Sequence, residues 1–116
     1  MVSAVIEESV LHRLVGGAAV QQGQLAQLLR FGRLRSTTIQ VLPMACEGHT
    51  GLEGPFILLT PKHRPQVAYV EVQSVSRLLT APSEVRFVAA RYGSIRGQAL
   101  TPRESLVLIE KLLEAL

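Results

Sequence analysis

The stretch PFILLTPKHRPQVAYVEV, residues 55–72, decides the class of fold. Its two β-rich runs, PFILLT and QVAYVEV, meet through TPKHRP, a connection short enough for an antiparallel hairpin and limited by its prolines, which cannot extend a ladder. Downstream, SVSRLLT (74–80) extends the meander as an edge strand, where Arg77 discourages edge-to-edge association. Upstream, TTIQVLP (37–43) alternates, with Thr38, Gln40 and Leu42 on one face and Thr37, Ile39 and Val41 on the other, and Pro43 stops it. The stretch between, MACEGHTGLEG, has glycines at 48, 51 and 54 and reads as the longest loop.

Helices are expected on either side of these strands. Ser3–Ile6 reads as a short strand entering a helix near Glu7, with Val10, Leu11, Leu14 and Val15 on one stripe and Gly16-Gly17 as its C-terminal stop. From Ala18, the residues Gln21, Leu25, Leu28 and Leu29 recur at helical spacing, and Arg30, Gly32, Arg33 and Arg35 mark the exit. Pro82 suits a first helical position, with Val85, Val88, Ala89 and Tyr92 as the buried stripe; Gly93 and Gly97 weaken the second half. Thr101-Pro102-Arg103-Glu104 is a capping box, and the helix it opens carries Leu106, Ile109, Leu112, Leu113 and Leu116 on one apolar face. The prediction is one α+β domain over 1–116: a mixed, mostly antiparallel sheet of about four to five strands with helices packed on one face.

Composition narrows the function classes. The 116 residues are 47% hydrophobic and 18% charged, with a mean hydropathy of +0.27, which is too apolar for a disordered chain. The single cysteine, Cys46, makes neither an internal disulfide nor a cysteine zinc site. No apolar run nears the roughly 18 residues of a membrane span, and the start lacks a secretory pattern. A cytoplasmic protein with no membrane contact and no cofactor is expected. Twelve cations, ten of them arginine, against nine acids give a net charge of +3. The arginines are scattered without interleaved aromatics, so Arg30, Arg33 and Arg35 read as complements of a helix C-terminus, and Arg86, Arg91 and Arg96 as a solvated surface.

Few residues offer chemistry. Glu47, His49 and Glu53 fall within seven residues of a glycine-rich loop, but no metal-ligand or nucleophile spacing makes them specific. Glu71 interrupts an apolar strand, and alternation places it on the face of Tyr69 and Val67. No GxGxxG or Walker loop follows Gly16-Gly17, and Ser105 lies in the first turn of a helix, where its role is structural.

The order of short motifs adds a resemblance. Glu8, Leu11, His12-Arg13 and Val15-Gly16-Gly17 resemble the "EaaLrrpvGG" segment of an uncharacterised bacterial domain that follows the helix-turn-helix of Xre-type transcriptional regulators in high-GC bacteria. The likeness continues through Gln24-Leu25, Leu28-Leu29, IQVLP, GHTGLEGPF, the strand with Tyr69 and Glu71, and ALTPRESLVLI. It implies a regulatory domain that senses a small-molecule effector or a small bacterial partner protein, with His49, Glu71, Glu8 and Tyr69 as ligand-binding candidates and no catalytic residue to carry over. A homodimer, in which the terminal helix and edge strand pair across a two-fold axis, is a further expectation. DNA would be reached only through an N-terminal helix-turn-helix, which with a helical segment precedes this part in the family, so the chain is expected to be a fragment or a shortened relative. The alternative class is a small enzyme or toxin-like catalytic domain acting on a nucleotide-type substrate, using Glu71 with His49 or Arg13.

Overall fold

A computed structural model describes residues 2–13, 15–46, 54–72 and 74–116, and its backbone divides into two compact units, 1–47 with 96–116, and 48–95. The class is mixed α+β, with five strands among the described residues lying in two separate sheets.

In the first unit, β1 (Val2–Glu7) and β2 (Thr37–Leu42) pair in parallel, with Val2 opposite Thr37 and Glu7 opposite Leu42. Parallel neighbours need a long crossover, and α1 (Glu8–Leu11) and α2 (Ala18–Gly32) form it. Leu25 and Leu29 of α2 are buried with Leu11, Ile39, Val41 and the terminal helix's Ile109. That helix, α4 (Pro102–Glu114), lays Leu106, Leu108, Leu112 and Leu113 against the same core, while Leu116, expected on the same stripe, lies beyond the helix and is exposed. Its capping box is complete: Thr101 Oγ1 accepts from the Glu104 N–H, and Glu104 Oε1 accepts from the Thr101 N–H.

The glycine pair has a different place from the one its sequence suggests. The first helix is a single turn capped at His12, leaving Val10 and Val15 exposed, and Leu14 lies outside the described residues. Gly16 and Gly17, at φ 84° and 92°, instead open α2, Gly17 being its N-cap. Positive φ strains any side chain with a Cβ, so these two glycines supply a left-handed entry, not a helix stop. Strand β2 also departs from simple alternation: Gln40 and Leu42 are buried as fully as Ile39 and Val41, as befits a parallel strand covered on both faces.

In the second unit, β3 (Phe56–Leu59), β4 (Val67–Val72) and β5 (Val75–Leu79) form an antiparallel meander in that order, and the hairpin and edge strand fall where the sequence places them. Ala68 and Leu79 pack with Val85 and Val88 of α3 (Pro82–Gln98), assisted by Phe56, Leu58 and Val70. The Phe56 and Tyr92 rings meet edge to face at 6.1 Å. Gly54 lies so close to β4 that a Cβ there would collide with the Glu71 carbonyl oxygen. As the sequence reads, α3 passes through Gly93 and continues to Gln98, and buried Ile95 anchors the half that the glycines weaken.

Candidate functional site

Among the described residues, three polar constructions and a cleft offer chemistry. The cleft begins with Gln21, which is 4% exposed in an otherwise apolar stripe of α2. Its Nε2 donates to the Leu11 carbonyl, one of the oxygens that the end of α1 leaves without a helical partner. The two helices are thus tied at this point. Ile6, Val10, Leu11, Leu25, Leu28 and Phe31 line an almost wholly apolar cavity of about 370 Å³, bordered also by Gln21, Gln24 and Gln27. Arg30 lies 5.8 Å from the Phe31 ring centroid.

On α1, Glu8 Oε2 accepts from His12 Nε2 at 3.2 Å and Oε1 accepts from the Met44 N–H at 3.2 Å. The hydrogen bond from His12, then that from Met44, hold the Glu8 carboxyl below its usual range, against a small opposing effect of burial. This cluster fastens α1 to the 3₁₀ turn Met44–Cys46 that follows β2.

In the second unit, Tyr69 O–H donates to Glu71 Oε1 at 3.1 Å, and Ser76 Oγ stands 2.7 Å from the same phenol oxygen. A carboxylate only accepts, so the phenol proton goes to Glu71 and the Ser76 hydroxyl donates in turn to Tyr69. The chain of bonds fixes the carboxylate on the outer face of the meander, and the strand register explains it: Glu71 is opposite Ser76, and Tyr69 is two residues before Glu71 on the same face.

The third construction joins β2 to α4. Ser105, fully buried, accepts from the Val41 N–H and donates to the Thr101 carbonyl, both at 2.8 Å. Beside it, the Leu100 N–H donates to the Val41 carbonyl at 2.9 Å and Gln40 Nε2 to the Leu100 carbonyl at 3.0 Å. Ser105 is therefore structural, as its position in the sequence indicates.

Of the four ligand-binding candidates, the structure joins Tyr69 to Glu71. Glu8 belongs to the other unit, with its own partners, and His49, with Glu47 and Glu53, lies outside the described residues. Arginines expected at a helix end or on a solvated surface have specific contacts. Arg33 pairs with Glu110 at 2.6 Å, and half-buried Arg91 lies 5.6 Å from the Phe87 ring centroid. The cleft residues escaped the sequence reading; the one signal for them was a glutamine within an apolar helical stripe. Among the described residues no cluster of three His, Cys, Asp or Glu fits a metal, and no helix is long and apolar enough to cross a membrane.

The family model described as a domain of unknown function, DUF5753, matches residues 1–111. No curated protein and no solved structure matches the chain.

Proposed function

The chain belongs to the DUF5753 family, and from that premise we propose that it is the effector-reading domain of an Xre-type helix-turn-helix transcriptional regulator, binding a small molecule without turning it over. The cleft between β1, α1 and α2 carries this reading. Its volume of about 370 Å³ suits a small ligand, and a predominantly apolar lining is what such sites present. The lining selects the ligand's chemistry. A charged group would lose its hydration against Ile6, Leu25 and Leu28, and the cleft's surface is almost wholly apolar. The effector is therefore an uncharged, largely apolar molecule. A ligand seated here touches β1, α1 and α2 together, so its binding energy favours one arrangement of the one-turn α1 over others.

The neutral apolar dye Nile red tests the cleft. Wild-type protein should raise and blue-shift the dye's fluorescence saturably, and Leu28→Trp, which fills the cavity, should abolish the signal while the far-ultraviolet circular dichroism stays unchanged. Dye binding that survives Leu28→Trp, or no binding by the wild type, would remove the cleft as the effector site.

A further inference from the structure

We propose that the outer face of the β3–β4–β5 meander docks a second copy of this chain, related by a two-fold axis that lies in the interface and runs across the strands. Alternation assigns that face. Phe56, Leu58, Ala68, Val70 and Leu79 turn inward to α3, so Ile57, Leu59, Val67, Tyr69, Glu71, Ser76 and Leu78 turn outward. The register places Ile57, Tyr69 and Leu78 in one cross-strand row, and the aliphatics of this face are not covered: Ile57 is 52% exposed, Leu59 52% and Leu78 64%. Three such aliphatics on one sheet face form a contiguous patch of the kind that marks an interaction site.

The charges at the two ends of the face identify the occupant. The β3–β4 connection, beyond the Leu59–Val67 pair, carries exposed Lys62 and Arg64, and neither forms an ion pair among the described residues. At the opposite end, about 13 Å along β4 from Val67 at the usual rise of a strand, Glu71 is held by Tyr69 with no cationic partner among the described residues. The nearby Arg77 is assigned by alternation to the other face and lies 3.9 Å from Glu84 of α3. The face is thus positive at one end, apolar in the middle and negative at the other. A copy turned by the proposed axis sets its Glu71 end against the Lys62–Arg64 end of the first, twice over, and the Ile57–Tyr69–Leu78 row against itself, as a two-fold interface requires. Because Tyr69 and Ser76 already fix Glu71, little of its freedom is left to lose on docking. Three strands of about five residues cover roughly 240 Å² in projection, well under the about 800 Å² per partner of a standard interface, so the dimer is weak and concentration-dependent.

Sedimentation velocity of the purified chain, from about 5 µM to about 1 mM to bracket a micromolar-to-millimolar dissociation constant, reads the association directly. The wild type should pass from monomer to dimer, and Leu78→Lys, a change at an exposed position that the fold tolerates, should weaken dimerisation at least tenfold. Charge reversal tests the seating. Glu71→Lys makes both ends positive, and the double variant Lys62→Glu with Arg64→Glu makes both negative, so each alone should stay monomeric while an equimolar mixture dimerises. A wild type that stays monomeric throughout, or a dimer that Leu78→Lys leaves intact, overturns the proposal. A dimer that Leu78→Lys breaks but the mixture does not restore overturns the antiparallel seating.

Discussion

Replacing Ser105 by alanine should destabilise the first unit out of proportion to the one oxygen removed. The hydroxyl does two things in a fully buried position: it accepts the Val41 N–H and donates to the Thr101 carbonyl, each at 2.8 Å. The two losses are unequal. The Thr101 carbonyl also accepts the Ser105 N–H at 2.9 Å, so it remains satisfied. The Val41 N–H belongs to a residue with no exposed surface, and a buried donor left without an acceptor costs its full desolvation, about 1 to 3 kcal/mol. Taking about 2 kcal/mol, and about 4 °C per kcal/mol for a chain of this size, the melting temperature should fall by roughly 8 °C. Urea unfolding followed by circular dichroism should show a lower midpoint with an unchanged m value, the mark of a stability change without a change in exposed area. Thr101→Ala on the same helix is the comparison: it removes an exposed cap worth about 1 kcal/mol and leaves Val41 untouched. Hydrogen exchange separates the two variants, since only Ser105→Ala should speed exchange of the Val41 amide. A loss under about 0.5 kcal/mol with Val41 protection intact would refute the reasoning.

Two other perturbations test the constructions around the candidate residues. Gly54→Ala drives a Cβ into the Glu71 carbonyl and displaces the backbone that accepts the Glu71 N–H through Pro55; a strain cost of about 2 kcal/mol in urea unfolding is expected, and a neutral result would show that the 54–55 segment yields freely. Glu8, depressed by His12 and Met44, contributes stability that is present above the ordinary carboxylate pKa of 4.5 and is lost as pH falls through the lower folded value. The stability gap between wild type and Glu8→Gln should therefore narrow as pH falls from about 5 to about 3, and a gap constant across that window contradicts the assignment.

The antiparallel meander was legible because two signals agreed. Runs rich in β-branched, aromatic and other apolar residues over 55–60 and 66–72 marked strands, and the prolines at 61 and 65 marked the connection, each with a short-range cause. The terminal helix was legible for the same reason, since the capping box is complete within four residues. The parallel pair was less so. Nothing within β1 or β2 states that they are neighbours, because that pairing depends on the crossover packing back through Leu25 and Leu29. The continuity of α3 through Gly93 went against propensity, and tertiary burial of Ile95 overrode a local cost of about 1 kcal/mol per glycine. At the candidate site, period-two alternation was enough to join Glu71 to Tyr69, but Ser76 as their third member needed the register of β5.

The cleft required a reading of what a helix does when it ends. Apolar spacing from Val10 to Val15 suggested a helix running on, and in a continuing helix the Leu11 carbonyl would accept the Val15 N–H four residues later. Here it accepts Gln21 Nε2 instead, so the side-chain amide stands in for the missing turn. A longer α1 would supply its own acceptor's partner and leave Gln21 as a buried amide with no use for its donors, which buried polar groups do not tolerate. The single turn of α1 and the glutamine in the stripe of α2 therefore require each other. Phe31 and Leu28 line the cavity beside this helix end. A polar amide at an apolar helical position is thus the mark by which this helix end, and the cleft beside it, can be found from sequence alone.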